Sequence, residues 1–246
     1  MFNYLIEIEY DGSNYVGWQS QKNGKSIQKS IEIALKKVFK SEIVIIGAGR
    51  TDKGVHAISQ FASFKLKKKI NDKRIFLESV NYFLRKKMIS ILSIKKKPNT
   101  FHARHSAKLR TYEYLIINRQ SRLSILNNKA WHVKKKIDLK LMRDGAKLLE
   151  GTHDFSTFRA ASCYAISPVK KMYPIKIIKT NAMIKIIFSS KSFLQNQVRS
   201  MTGCLVYLAT NKWKLKDFKK AFKSCERANC APPAPACGLY LKKVIY

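Results

Sequence analysis

Fifteen carboxylates stand against 49 Lys and Arg residues, so each acid can be weighed in turn as a candidate for chemistry. Glu32, Glu78, Asp138, Asp144, Glu150, Asp217 and Glu226 fall in or at the ends of expected helices, where carboxylates favour the first turn or pair with lysine. Glu42 and Asp72 flank elements, Glu7, Glu9 and Glu113 lie on alternating strands with faces expected to be solvated, and Asp11 serves a turn. Asp52 and Asp154 remain. Asp154, in Gly151-Thr152-His153-Asp154-Phe155, reads as a turn or cap residue. No second acid then supports a glycosidase-like acid and base pair, although attack by a single carboxylate at a sugar C1′ is reasonable chemistry.

Asp52 lies in Gly47-Ala48-Gly49-Arg50-Thr51-Asp52-Lys53-Gly54-Val55-His56, with three glycines in eight residues. Such a concentration implies backbone that bends sharply or approaches a ligand closely. Arg50 and Lys53 bracket the carboxylate, which keeps it ionised as a nucleophile or general base. A plain Asx turn with a surface ion pair is the other reading. The run is no dinucleotide-binding motif, because Asp52 takes the place of the third glycine and a strand follows; no Walker pattern and no G-x-S-x-G elbow occur either.

The five histidines, His56, His102, His105, His132 and His153, are scattered, and no metal site is expected. Phe101-His102-Ala103-Arg104-His105-Ser106-Ala107-Lys108-Leu109-Arg110-Thr111-Tyr112 interleaves aromatics with bases, a combination that holds phosphates and stacks unpaired bases. Tyr112 serves equally as a core aromatic. Arg199 falls inside an apolar helix with Phe193, Leu194, Val198, Met201, Leu205 and Leu208. A guanidinium there either meets an anion or a phosphate, or snorkels to solvent.

Around these residues the chain carries a formal charge of +34 and a sequence pI near 10.1. Such an excess fits a polyanionic partner, nucleic acid by default, or a lysine-biased composition on solvated faces. With 46% hydrophobic and 11% aromatic residues over 246 positions, the chain can bury a core and is no disordered basic tail. No apolar run approaches the roughly 20 residues that span a bilayer, and Met1 to Tyr10 reads as a strand instead of a signal peptide. A soluble, cytoplasmic protein is expected. Five cysteines without C-x-x-C read as reduced, mostly packing thiols.

The positioning elements follow from periodicity. Phe2 to Tyr10 alternates as a strand; Ser26 caps a helix with Ile27, Ile31, Leu35, Val38 and Phe39 on one face; a short apolar run covers Ile43 to Ile46. Val55 to Lys65 is a strand, Asn71 to Lys86 a helix with Ile75, Val80, Phe83 and Leu84 inward, and Met88 to Ile94 a strand. This order predicts an α+β fold with a split βαβ, ferredoxin-like half. After Pro98 come a strand at Arg110 to Ile117, a helix at Asp138 to Glu150, strands at Val169 to Lys179 and Ala182 to Phe188, a helix from Phe193 to about Leu208, a helix at Leu215 to Ser224 and a strand at Leu239 to Ile245. Two ferredoxin-like halves with mainly antiparallel sheets are expected, 1–97 carrying the Asp52 loop and 98–246 completing the cleft. The duplication rests on element order, since no fixed-period repeat is visible.

Taken in order, these segments resemble the TruA family of tRNA pseudouridine synthases over nearly the whole chain. The motifs are Tyr10-Asp11-Gly12 with Gly17-Trp18-Gln19, Ala48-Gly49-Arg50-Thr51-Asp52 with Gly54-Val55-His56, Phe101-His102-Ala103-Arg104, and Arg110-Thr111-Tyr112. Gly151-Thr152-His153-Asp154-Phe155, Val198-Arg199 with Gly203, and Gly238-Leu239-Tyr240-Leu241 complete the series. The resemblance implies the pseudouridine synthase fold and a cofactor-free, metal-free isomerisation of uridines at positions 38, 39 and 40 of the tRNA anticodon stem-loop. It makes Asp52 the nucleophile and Arg50 its electrostatic partner. Tyr112 would stack on the target base, Arg199 would pair with the carboxylate, and Leu239 would pack beneath the uracil. His102, Arg104 and Arg110 join them as substrate-binding residues. A homodimer with each tRNA bridging both subunits is also implied. Gln197, Ser200, Arg85 and Cys237 depart from the family's usual residues. The rival from another class is a catalytically silent RNA-binding module.

Overall fold

Three helix starts were written into the sequence as caps. Ser26 Oγ accepts the Lys29 N–H, Asp72 Oδ1 accepts from Arg74 and Ile75, and Asp138 Oδ1 accepts from Lys140 and Leu141, each satisfying donors that an isolated helix leaves open. The computed structural model describes every residue except Lys22. In chain order its elements are β1 (Phe2–Tyr10), α1 (Ile27–Phe39), β2 (Ile46–Gly47), β3 (His56–Leu66), α2 (Lys73–Leu84), β4 (Ile89–Lys97), β5 (Leu109–Asn118), β6 (Trp131–Val133), α3 (Leu139–Leu148), β7 (Gly151–Asp154), β8 (Val169–Met172), β9 (Lys176–Thr180), β10 (Met183–Ser190), α4 (Gln197–Ala209), α5 (Leu215–Lys223) and β11 (Leu239–Ile245). Short 3-10 turns cover Ser156–Phe158, Arg227–Asn229 and Ala236–Gly238.

The chain forms two units, Met1–Lys108 with Tyr240–Tyr246, and Leu109–Leu239. The sequence reading places one boundary after Lys97. Residues 98–108 stay with the first unit because the buried Asn3 amide donates to the Pro98 and Phe101 carbonyls, and the Ala103 N–H bonds Ser63 Oγ.

In the first unit β1 runs antiparallel to both β3 and β4, and β2 antiparallel to β3. This is the 4-1-3-2 order of a split βαβ, with α1 and α2 packed on each other. Two strands share the outer edge of β3: β2 pairs at Ala62 and Ser63, and β11 joins in parallel at His56 and Ala57. Phase along α2 differs from expectation: Ile75 is exposed, and Phe76, at the next position, is buried against Phe39 and Phe64 with Val80 and Leu84. Phe83 is only half-buried. In α1, Ile27, Ile31 and Leu35 are buried, whereas Val38 and Phe39 are half-buried.

In the second unit β10 lies antiparallel to β5 along eight residue pairs and antiparallel to β9, β7 pairs with β8, and β6 runs parallel to β5. The expected strand Val169 to Lys179 is broken between Met172 and Lys176, where Pro174 has no N–H to give a ladder. The apolar helix begins at Gln197 instead of Phe193. Asn196 is left-handed there, with φ 64°, and Gln197 Oε1 captures the Leu194 N–H. Sequence reasoning missed β6 and β7. The core of this unit comes from α4, packed by α3 and α5, and from the Phe155, Phe158 and Phe222 rings. The α+β class and the mainly antiparallel sheets are as expected.

Candidate active site

Asp52 sits on the loop from β2 to β3, half-buried, between the buried Thr51 and the exposed Lys53. The loop is pinned at nearly every residue. Ala48 N–H donates to Phe61 O at 2.7 Å and the buried Gln60 amide to Gly49 O at 2.9 Å. Thr51 is held twice, its Oγ1 2.7 Å from the Tyr10 hydroxyl and its carbonyl accepting the Trp18 N–H at 3.0 Å. The Asp52 carbonyl accepts the Val55 N–H at 3.1 Å, closing a turn. A carboxylate on backbone fixed at both flanks loses little freedom when it engages a reacting atom, which is what nucleophilic catalysis asks of a scaffold.

The Tyr10-Asp11-Gly12 segment supports the far side of the loop. A Cβ built on Gly12 would lie 2.0 Å from Val55 O and 2.7 Å from Val55 C, so only glycine permits this approach of backbone to backbone. Gly12 N–H donates to His56 Nδ1 at 3.1 Å. The Asp11 carboxylate stands 3.0 Å from the same nitrogen, and the His56 ring stacks on Tyr240 at 4.7 Å. Through Tyr10, Gly12, Trp18, Val55 and His56 the Tyr10-Asp11-Gly12, Gly17-Trp18-Gln19 and Gly54-Val55-His56 motifs thus support the loop carrying Asp52.

Arg50 is exposed on this loop. His102 and Arg104 belong to the same unit. Arg104 is exposed, while His102 Nδ1 accepts the N–H groups of Arg104 and His105 at 3.2 and 3.3 Å. Burial, then the neighbouring His105, lowers the His102 pKa. As a backbone acceptor its Nδ1 is unprotonated and the neutral Nε2 tautomer is favoured, so its ring orders a turn.

The remaining expected residues lie in the second unit. Arg110 is buried at the start of β5 with Nη1 donating to the Lys191 carbonyl, and Tyr112 is buried with its ring edge-to-face with Phe193, centroids 5.1 Å apart. Leu239 is buried at the start of β11. Arg199, half-buried in the first turn of α4, donates from Nε to Ala234 O at 2.8 Å and from Nη1 to Asn196 Oδ1 at 3.2 Å. Protein oxygens thus hold part of a guanidinium for which the sequence suggested an anion or solvent.

Asp154 accepts the Ser156 N–H at 2.7 Å, a local turn bond. Glu113, expected on a solvated face, is buried on β5, and Glu7 accepts from Ser59 and Ser93 in the first sheet. Among the described residues no group of three or more His, Cys, Asp or Glu side chains is placed to hold a metal, and no helix is long and apolar enough to cross a membrane. The sequence reading named Tyr10 and Trp18 only as members of motifs and not as supports of the loop, and it missed Gln60, a glutamine at a position that strand alternation turns inward.

The split βαβ and the pinned loop that carries Asp52 are the setting to which comparison gives a class, the tRNA pseudouridine synthases. The family model described as tRNA pseudouridine synthase matches residues 6–106 and 146–246, and the chain belongs to that family. It is 55% identical over 246 residues, covering all of both chains, to the tRNA pseudouridine synthase A of Pelagibacter ubique (strain HTCC1062). The protein of the same name from Maricaulis maris (strain MCS10) is 41% identical over all of this chain and 98% of its own. That of Beijerinckia indica subsp. indica is 42% identical over all of this chain and 94% of its own.

Proposed function

We propose that the protein converts uridine to pseudouridine at positions 38, 39 and 40 of the tRNA anticodon stem-loop, with Asp52 as the nucleophile. The observation that carries this reading is the loop itself: a half-buried carboxylate whose flanking backbone is held by Gln60, Tyr10 and Trp18. In the reaction Asp52 attacks C1′ as the C1′–N1 bond breaks, the uracil turns, and C5 joins the same carbon as the Asp52–C1′ bond breaks and releases the carboxylate. C5 then gives up its proton and N1 takes one, so no redox partner or cofactor enters. By the family resemblance Arg50 balances the carboxylate's charge, Tyr112 takes the target base by stacking, Arg199 pairs with the carboxylate, and Leu239 supports the uracil. His102, Arg104 and Arg110 complete the substrate-binding set, with Arg104 for phosphates and His102 for the turn that presents it. The target must leave its stack to meet Asp52. A cytoplasmic homodimer, each tRNA bridging both subunits, is part of the same proposal.

The test is incubation of purified protein with an unmodified tRNA transcript carrying uridines at 38, 39 and 40, followed by mapping of pseudouridine. Product confined to these positions is expected. Tight binding without product across several tRNAs would instead leave a silent RNA-binding module.

Charge supplies a second expected result. Lys67, Lys68, Lys69, Lys134, Lys135 and Lys136 are all exposed, as are Lys216, Lys219, Lys220 and Lys223 on α5. If 6–10 phosphates are neutralised, tRNA affinity falls about 10³-fold or more between roughly 50 and 200 mM salt, linearly in log K against log salt. A flat line in a filter-binding titration would mark the lysine excess as compositional.

A further inference from the structure

Two thiols far apart in sequence face each other in the second unit. Cys204 is buried on α4, Cys230 is half-buried after the 3-10 turn Arg227–Asn229, and their Sγ atoms stand 3.5 Å apart. Backbone packing fixes this approach. A Cβ on Gly203 would lie 2.1 Å from Pro232 O, so the absent side chain lets the 230–234 segment rest directly on α4. Arg199 and Ala234 clasp the two further along: Ala234 N–H donates to Arg199 O at 2.9 Å and Arg199 Nε to Ala234 O at 2.8 Å.

We propose that Cys204 and Cys230 are a reactive dithiol that a hydroperoxide oxidises to an intramolecular disulfide, with Cys230 the attacking sulfur. A disulfide needs about 2.05 Å between sulfurs, a closure of the order that side-chain rotation and a small shift of the loop provide. The two sulfurs are not equivalent. The hydrogen bond from Cys204, then the positive Arg227, favours the Cys230 thiolate and lowers its pKa, while the same hydrogen bond and burial raise that of Cys204. Arg227 Nη1 is itself steadied by Ser200 Oγ at 3.2 Å. A half-buried thiolate beside a guanidinium is the nucleophilic form of cysteine.

The steps balance. The Cys230 thiolate attacks the terminal peroxide oxygen, the O–O bond breaks, and Cys230 becomes a sulfenic acid as alkoxide leaves, or hydroxide when the oxidant is hydrogen peroxide. Cys204 Sγ then attacks the sulfenic sulfur, the S–O bond breaks, and the departing hydroxyl takes the Cys204 proton to leave as water, while the anion released in the first step takes its proton from solvent. Overall two thiols and one hydroperoxide give one disulfide, water and the corresponding alcohol, or a second water when the oxidant is hydrogen peroxide. The bond ties the 227–234 segment, which holds the Arg199 guanidinium, to the helix that bears Arg199.

The full-length protein is treated with hydrogen peroxide, remaining thiols are alkylated after denaturation, and peptides are mapped by mass spectrometry. Expected are a 204–230 linked peptide two hydrogen atoms lighter than the reduced pair, its reversal by dithiothreitol, and its formation in Cys225→Ser as in the parent. Cys204→Ser should trap Cys230 as a sulfenic acid that dimedone labels, and Cys230→Ser should leave Cys204 unlabelled. Full alkylation of Cys204 and Cys230 after oxidation of the exposed Cys225 would overturn the proposal, as would dimedone on Cys204 in Cys230→Ser.

Discussion

Replacing Asp52 by asparagine is expected to lower the single-turnover rate of pseudouridine formation by about 10⁴-fold or more, with the tRNA Kd within about twofold of the parent. The two carry different parts of the molecule. On the proposed reading affinity comes from a surface with formal charge +34, whose sum one carboxylate barely alters. On the same reading chemistry rests on Asp52, and the near-isosteric amide of asparagine lacks the anionic oxygen that would attack carbon. The local bonds that hold the loop run through Gly49 O, Thr51 O and Oγ1 and the Asp52 carbonyl, and these backbone and threonine groups persist in the variant. Rates from pre-steady-state mixing and Kd from filter binding on one preparation separate the effects. Turnover by Asp52→Asn within about tenfold of the parent would remove the carboxylate from its role.

Gly12→Ala is the second substitution with a large expected effect, although Gly12 bears no reacting group. The added methyl would meet the Val55 carbonyl at 2.0 Å, and because its neighbour is backbone, no side-chain rotation relieves the clash. Either the turn after β1 or the segment around Val55 must move. Val55 is hydrogen-bonded to the Asp52 carbonyl, so displacement passes to the carboxylate. Overpacking of this kind costs about 1–3 kcal/mol of stability, and a misplacement near 1 Å about 10²-fold in rate. A lower urea midpoint with kcat reduced about 100-fold and tRNA affinity retained is the expected combination. An unchanged kcat would show that Asp52 tolerates movement of its support.

The elements legible in the sequence were those specified locally. Ser26, Asp72 and Asp138 cap helices in the structure as their types suggest, and alternation marked β1 and β5. The failures share a non-local cause. Gly151-Thr152-His153-Asp154 carries turn chemistry, yet it becomes β7 because Thr152 and His153 pair with Lys171 and Lys170 of β8. Trp131–Val133 is a strand only through β5. Glu113 alternates as a solvated residue would, and its burial depends on what the rest of the chain lays over it. Phase in α2 slipped by a single residue, enough to turn a helical side chain about 100° and exchange Ile75 for Phe76 in the core.

The candidate site divides the same way. Asp52 emerged by elimination because the chain is so poor in acids. Its supports did not, since Tyr10, Trp18 and Gln60 reach the loop from other elements. At Arg199 the sequence showed a cation in an apolar helix but could not show that Ala234, 35 residues onward, would offer its carbonyl.

The parallel pairing of His56 with Tyr240 sets an order of events during synthesis. The ribosome must add about 180 residues between these partners, roughly 10–40 s at 5–20 residues per second. Throughout that interval the start of β3, directly after the Asp52 loop, lacks its β11 neighbour and presents open backbone groups to any passing strand. The nascent chain therefore holds its carboxylate loop without the stack of Tyr240 on His56, and a chaperone that shields that edge would raise the yield of active enzyme more than its folding in dilute solution would suggest.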